Sequence, residues 1–356
     1  MSESLIITCK GKKIHLLLIT LNQMPVHEPI EFGPPVTAKG WLQPISLRVE
    51  DGRVGEVVAL HSPGGAVYEF RRPLKNAIYG KVYVGNELEL MGATYTRGAA
   101  LVAIKVIEKR LLATTVSHED PLKEMSVAQY LTEEDGTVHP NVMGQVEVIS
   151  DETRYYIVME FCGGGELFDV LGNQSHSRFP EGQARLYFQQ LVSGVQHLHL
   201  NDVVHGDLSL ENVLVTSDGF GCKIIDYGMS QRFARDENGN VMLFPPLGVR
   251  SKPYYRAPET HANQNPFLGP AADVWSLGVM LFMMIVGARP VDFPSAGCPR
   301  FCAVARGVMW DMVAGWGVTH LSVDVKDLIT KMLCTNPSER ITLDEVREHP
   351  WMNEMQ

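Results

Sequence analysis

The chain changes its hydrophobic period once, at Gly163-Gly164-Gly165, and that change constrains the fold more than any other feature. Before the glycines, apolar residues form short strand-like runs bounded by turn residues. Tyr79-Gly80-Lys81-Val82-Tyr83-Val84 alternates, and Tyr155-Tyr156-Ile157-Val158-Met159-Glu160-Phe161 leads straight into the triplet. Leu101-Val102-Ala103-Ile104-Lys105-Val106-Ile107 is continuous enough to be buried on both faces. One amphipathic segment, near residues 120–131, interrupts the strands. After the glycines, Pro180-Glu181 opens a helix in which Ala184, Phe188, Leu191, Val195 and Leu198 recur at three- and four-residue steps. A second helix, from about Ala271, is apolar nearly all round and stops at Gly287, as a helix buried in the centre of a domain does. Residues 1–65 hold further apolar runs among Gly and Pro (Leu5-Ile6-Ile7, residues 15–21, Val57-Val58-Ala59-Leu60) and read as a β-rich extension without recognisable chemistry. The expected organisation is α+β: an extension over 1–65, a β-rich lobe over 66–160 and a mainly helical lobe over 161–356.

Composition narrows the partners. Apolar residues at 45% and charged residues at 20% of 356 describe a chain able to bury a sizeable core. A formal net charge of −10 argues against nucleic acid or an anionic membrane as the main partner, and is compatible with a basic peptide substrate. Residues 15–21 are too few, and begin too late behind Lys12 and Lys13, for a signal peptide. The apolar run 274–288 falls below the roughly 18–20 residues of a spanning helix, so no membrane is expected. The six cysteines are scattered without a C-x-x-C pair, which suits free thiols in a reducing compartment and a cytoplasmic protein.

Five separated motifs then fall in one order. Val102-Ala103-Ile104-Lys105 lies in an apolar strand, and His205-Gly206-Asp207-Leu208-Ser209-Leu210-Glu211-Asn212 follows a helix. Asp226-Tyr227-Gly228 follows Lys223-Ile224-Ile225, Ala257-Pro258-Glu259 comes about thirty residues later, and Asp273-Val274-Trp275-Ser276-Leu277-Gly278 opens the buried helix. Each string alone is weak. Their order and spacing together resemble the eukaryotic protein kinase family across roughly residues 70–352. The resemblance is nearest the calmodulin-dependent-kinase-like branch, which Tyr187-Phe188-Gln189-Gln190-Leu191 and His349-Pro350-Trp351 also resemble. It implies a bilobal protein-kinase fold, with a β-rich N-lobe and a mainly helical C-lobe, that phosphorylates serine or threonine of a protein substrate using ATP.

The resemblance also implies roles. Lys105 neutralises the ATP phosphates and needs an acid to hold it, with Glu124 the first candidate and Glu119 its rival. Asn212 and Asp226 hold the metal, Mg2+ with Mn2+ as the alternative at the same oxygens. Asp207 accepts the substrate hydroxyl's proton; an ordinary turn aspartate is the plainer alternative, disfavoured by His205 and Asn212 at the family's offsets. Gly80, Val82, Ala103 and Leu214 surround the adenine and phosphates, Met159 stands at the rear, and Glu160 to Cys162 form the hinge. Glu259 with Arg340, and Asp273, are architectural. Glu166 and Glu211 match acidic positions that face basic residues near the target Ser/Thr.

Three departures matter. Lys75 and Ala77 occupy the places of the first two glycines of the phosphate-covering loop, so ATP binding should be weaker than in a typical member. Gly206 replaces the arginine that grips a phosphorylated activation segment in many members, so activity should not depend on that phosphate. Ser209 replaces the lysine that stabilises the transferring phosphoryl group, a loss of roughly 10²–10³ in rate if uncompensated. Lys252, where a threonine is usual, could restore that charge; an exposed loop lysine is the plainer reading. Two functions therefore stay open: a serine/threonine kinase, or a pseudokinase scaffold that binds nucleotide or a partner.

Overall fold

The computed structural model describes residues 24–49, 52–117, 119–133 and 135–353, and the backbone of 5–9 and 12–16. Two of those backbone stretches, β1 (Leu5–Cys9) and β2 (Lys12–Leu16), form an antiparallel hairpin. The remainder of the apolar run, residues 17–21, lies outside the described residues. The chain divides into two compact units, one of residues 32–139 and 143–163, the other of residues up to 31, 140–142 and 164 onward.

The first unit is built on an eight-stranded sheet: β3 (Ala38–Lys39), β4 (Trp41–Arg48), β5 (Val54–His61), β6 (Val67–Ala77), β7 (Gly80–Met91), β8 (Thr94–Glu108), β9 (Glu147–Ser150) and β10 (Arg154–Glu160). The strand order is β3-β9-β10-β8-β4-β5-β6-β7, and β7 also pairs with β8, so β8, β4, β5, β6 and β7 close a five-strand ring. Of the stretch before residue 66, residues 38–61 are thus woven into this sheet through β3, β4 and β5. The long separation between Val82 and Lys105 is a continuous hairpin running from Gly80↔Ile107 to Met91↔Thr94, with one register shift between Asn86 and Leu88. Its distal half closes the ring over Ile45, Leu47, Ala59, Val67 and Leu88.

Over residues 102–107, β8 is buried on both faces because its side chains alternate between two cores, whereas Leu101, expected in the same buried run, is exposed where the strand leaves those cores. Val102 and Ile104 pack with Leu60, Tyr68, Tyr156 and Val158 on one face. On the other, Ile107 packs with Tyr79, Val148, Ile157 and Met125. Met125 belongs to α2 (Pro121–Tyr130), which follows the short α1 (Lys109–Thr114). The Asp120 carboxylate accepts from Leu122 N and Lys123 N and starts α2, with Pro121 at its first position.

The second unit begins with β11 (Gly165–Glu166), α3 (Leu167–Gly172) and α4 (Glu181–Leu200), then β12 (Val203–Val204), β13 (Val213–Val215), β14 (Cys222–Ile224) and β15 (Gln231–Arg232). It continues through α5 (Pro258–Ala262) and α6 (Gly269–Val286), and five shorter described helices follow between Pro299 and Asn353. The periodic residues of α4, Ala184, Phe188, Leu191, Val195 and Leu198, are all buried. α6 ends where Gly287 takes a left-handed backbone (φ 78°), and a Cβ there would collide with the carbonyls of His176 and Ser177. Starting at Gly269 rather than Val274, α6 has 18 residues of mean hydropathy 1.6, long and apolar enough by composition to cross a membrane. This corrects the expectation that the run is too short. The helix is 83% buried.

One ion pair binds the helices of this unit. Arg340 Nη1 lies 2.6 Å from Glu259 Oε1, and Nη2 donates to Oε2 at 3.0 Å. Nη1 also donates to Ala271 O at 2.7 Å, and Nε to Cys334 O at 3.0 Å. The Arg340 side chain has no solvent exposure, so its partners carry the whole cost of desolvating it. Replacing Arg340 by alanine should therefore destabilise this unit by about 3–5 kcal/mol. Chemical denaturation monitored by tryptophan fluorescence measures that loss, and a change below about 1 kcal/mol would contradict it.

Candidate active site

In the sheet-bearing unit, the strand register assembles one group. Lys105 stands opposite Val82 on β7 and Ile157 on β10, while Ala103 stands opposite Val84 and Met159. Directly paired residues project from the same face. Lys105, Ala103, Val82 and Met159 therefore share the face on which α2 packs. From α2, Glu124 reaches Lys105: Nζ lies 2.8 Å from Oε1 and 2.5 Å from Oε2. Glu119, the rival partner, gives its backbone carbonyl to the Tyr79 hydroxyl. Glu160 ends β10 exposed, and Cys162 beyond it is buried.

The loop between β6 and β7 is a two-residue turn, Ile78-Tyr79, closed by Ala77↔Gly80, with Lys75 paired to Val82. Tyr79 points into the core beside Met125 rather than outward. Gly80 is required by the strand itself, because a Cβ there would run into the Val106 carbonyl.

The helical unit holds the other group. Asp273, at the start of α6, is 1% exposed and accepts three hydrogen bonds from across the fold. His205 N donates to Oδ2 at 2.9 Å, Gly206 N to Oδ1 at 3.0 Å, and His199 of α4 pairs through Nε2 with Oδ2 at 3.0 Å. Gly206 is thereby held at φ 74°, a region where a side chain is strained, and a Cβ would meet Met229 O at 3.1 Å. His205 Nδ1 accepts from Asp207 N at 3.2 Å, which leaves Nε2 as the protonated nitrogen, donating to Ile225 O at 3.0 Å.

Asn212 Nδ2 donates to Asp207 O at 2.8 Å and to Asp207 Oδ2 at 3.0 Å. The other carboxylate oxygen, Asp207 Oδ1, is buried with no hydrogen-bonding partner among the described residues. Lys252 Nζ donates to Ser209 Oγ at 2.9 Å and stands 3.9 Å from Asp207 Oδ2. Arg256 delivers that lysine: its guanidinium donates to the carbonyls of Arg250 and Ser251, while Tyr255 N donates to Lys252 O at 3.1 Å. Ser251, between them, is held in the left-handed region at φ 64°. Burial pushes the Asp207 carboxyl above the usual carboxylate range, the Lys252 ammonium opposes that rise, and the Asp226 charge adds to it.

Ile225 N donates to Asn212 O at 3.0 Å, which sets Asp226 one residue beyond that contact. Asp226 sits at φ 68°, its Oδ1 accepting from Gly228 N at 3.3 Å. Tyr227 fixes this turn by donating its hydroxyl to Ile224 O at 2.8 Å, with its ring edge-on to His205. Among the described residues, no three His, Cys, Asp or Glu side chains converge on a metal. Magnesium draws on one or two carboxylates and completes its shell with phosphates and water. Asp226, with Asn212 Oδ1 left by an amide nitrogen committed to Asp207, fits that donor set.

Leu214 lies on β13, paired to Lys223 and to Glu166 of β11. Glu211 is more engaged than its sequence position suggests: Tyr254 and Tyr255 donate their hydroxyls to its two oxygens at 2.9 and 3.0 Å. Burial and the Glu211 charge push the Tyr254 phenol up to about 12, and Tyr255 higher still, so both remain donors. Sequence reasoning overlooked Tyr254, Tyr255 and Arg256, although all three stand in the same string as Lys252.

The profile of the protein kinase domain family matches residues 85–352. The chain belongs to the protein kinase family. Serine/threonine protein kinase OSK3 of Oryza sativa subsp. indica is 34% identical over 293 residues, 82% of this chain and 51% of its own length. Serine/threonine-protein kinase SAPK9 of Oryza sativa subsp. japonica is 38% identical over 214 residues, 60% of this chain and 56% of its own. Protein kinase kin1 of Schizosaccharomyces pombe is 30% identical over 344 residues, 93% of this chain and 36% of its own. The chain spans about half the length, or less, of these curated relatives. Gly80 and Val82 precede the matched region, whereas the catalytic-loop positions lie within it.

Replacing Lys252 by methionine removes the cation that holds the Asp207 carboxyl down, so its midpoint should move further up. Asp207 would then take up a proton at a higher pH and lose its free acceptor earlier on acidification. Carbon-13 NMR of labelled aspartate carboxyls reads that midpoint; an unchanged or lower value would show that Lys252 does not act on Asp207.

Proposed function

We propose that this chain is a serine/threonine protein kinase that transfers the γ-phosphate of Mg-ATP to a protein hydroxyl. The observation that carries the proposal is the placement of the Lys252 ammonium, 2.9 Å from Ser209 Oγ and 3.9 Å from Asp207 Oδ2. A substitution that looks damaging in the sequence, Ser209, meets there the lysine that could offset it. The lysine missing at 209 is replaced by one arriving from the activation segment. Relatives named as serine/threonine kinases support the same reading.

In the transfer, the substrate oxygen bonds to the γ-phosphorus as the bond from that phosphorus to the β,γ-bridging oxygen breaks, releasing ADP. Asp207 Oδ1 accepts the hydroxyl proton and orients the attacking oxygen. Lys252 donates to the phosphoryl oxygens as their charge redistributes. Lys105, oriented by Glu124, binds the α and β phosphates. Magnesium, held by Asn212 and Asp226, would neutralise the β and γ oxygens. Glu166 and Glu211 favour substrates with basic residues near the target, and the two tyrosine hydroxyls fix the Glu211 carboxylate in one orientation. The reading includes a cytoplasmic location.

Phosphate transfer from Mg-ATP to a degenerate Ser/Thr/Tyr peptide library, beside an Asp207→Asn control, tests the activity. Transfer to Ser/Thr peptides, enriched for nearby arginine and absent in the control, is expected. No transfer above the control in folded protein would favour a scaffold instead. Lys252→Met should lower kcat by roughly 10²–10³. The exchange Ser209→Lys with Lys252→Thr should recover much of that loss, since it returns the charge from the catalytic loop. An unchanged rate in Lys252→Met would remove the lysine from the mechanism.

A further inference from the structure

The activation segment, residues 226–259, is held in this chain without the arginine that would read a phosphate on it. Its first part folds back as a hairpin. Arg235 pairs with Val241, and Met242 N donates to Ala234 O at 2.9 Å. Phe233 and Phe244 from the two arms pack on Val204, with Val241, Leu247 and Phe267 around them. Phe244 also exchanges two backbone hydrogen bonds with Phe267, each 2.9 Å. Downstream, Arg256 holds the carbonyls of Arg250 and Ser251, and Lys252 follows.

A third support comes from far away in sequence. Residues 25–30 lie against both arms of the hairpin through their backbone. Val26 pairs with Leu243 in parallel and Ile30 with Arg232 in antiparallel sense. His27 N donates to Leu243 O at 2.9 Å, Leu243 N to Pro25 O at 2.9 Å, and Ile30 N to Arg232 O at 2.8 Å. The side chains contribute little: Val26 is 48% exposed, and Pro25, His27 and Glu28 are exposed as well. Pro25 and Pro29 restrict the backbone, which lowers the entropy lost in docking an otherwise thinly buried segment. Past this contact the chain enters the sheet-bearing unit. There Val36 exchanges both of its backbone hydrogen bonds with the Gln129 side chain on α2, the helix that carries Glu124.

We propose that residues 24–31 are a built-in brace for the activation segment, positioning it, and with it Lys252, in place of a phosphate. Three backbone hydrogen bonds, each of modest net worth in water, make the brace strong enough to bias the segment and weak enough to be displaced. It therefore acts as a point of control: whatever strips residues 24–31 from the hairpin loosens the segment that presents Lys252. The effect on catalysis rests on the kinase reading above, whereas the effect on the segment's order does not.

The test is His27→Pro with Ile30→Pro in the full chain, which deletes two of the three donors and leaves an extended backbone tolerable. Hydrogen–deuterium exchange of peptides covering 231–257 is compared with that of α4 as an internal check of folding. Exchange at Leu243 and its neighbours should accelerate on the order of tenfold or more, with α4 unchanged. In a transfer assay kcat should fall while KM for ATP stays constant. The matched variant His27→Ala with Ile30→Ala keeps both N–H groups and should have the smaller effect on exchange. Unchanged exchange over 231–257 in the proline variant overturns the proposal, as does an alanine variant equal to it. Should the double proline variant disturb α4, Ile30→Pro alone is read the same way against Ile30→Ala. Accelerated exchange in a protein that transfers no phosphate would leave the brace standing and remove the kinase reading.

Discussion

The buried carboxylate of Asp273 is the contact on which the helical unit's chemistry depends. A charge at 1% exposure survives only when its oxygens are hydrogen-bonded, and three donors converge on it from α4 and the catalytic loop. Those bonds fix the peptide at Gly206 in a conformation that glycine adopts without strain. From there the arrangement propagates. The neighbouring His205 ring accepts from Asp207 N and donates to Ile225 O, so one imidazole sets the spacing between the Asp207 and Asp226 strings.

Asp207 itself is an arrangement of opposing costs. Burial raises its carboxyl, which weakens the carboxylate form that a proton acceptor requires. A cation nearby opposes this, and the chain supplies one from residue 252 instead of 209. An ammonium group is defined by where its nitrogen stands rather than by where its stem begins, so the same charge can be delivered from a different loop. The consequence is a dependence that a lysine in the catalytic loop would not have: the charge is in place only while the segment carrying it stays ordered.

That dependence explains the density of contacts around residues 231–256. Phosphorylation and an arginine would order such a segment by a strong, removable charge pair. Here the ordering comes from aromatic packing on Val204, the Arg256 guanidinium on two carbonyls, and backbone pairing with residues 25–30. The first two are buried, whereas the third rests on a segment whose residues 25–28 are exposed. An exposed backbone contact is the natural place for such a structure to be adjusted, because its loss leaves no buried polar group without solvent.

Much of the architecture was legible in the sequence because it depends on local periodicity. The two-sided burial of β8 follows from Val102 to Ile107, the buried face of α4 from its three- and four-residue steps, and the end of α6 from Gly287. The candidate site residues were proposed from their spacing in the motifs. Other features were decided by pairing between distant segments, which no local pattern encodes. The ring of β4 to β8 depends on register, and the turn at Ile78-Tyr79 depends on Tyr79 finding a pocket beside Met125. The sequence offered Lys252 as a replacement for the charge missing at Ser209, with an exposed loop lysine as the plainer reading, and the engagement of Glu211 by two tyrosines lay unread beside them. The 2.9 Å contact between Lys252 and Ser209 exists only after the activation segment has folded over the catalytic loop. What the sequence alone determined was therefore which groups the chain owns and which helices and strands carry them, since propensity and periodicity act over a few residues. Whether a replacing group reaches the place left empty was decided by tertiary structure, because a hydrogen bond or an ion pair depends on distance in space and is blind to separation along the chain.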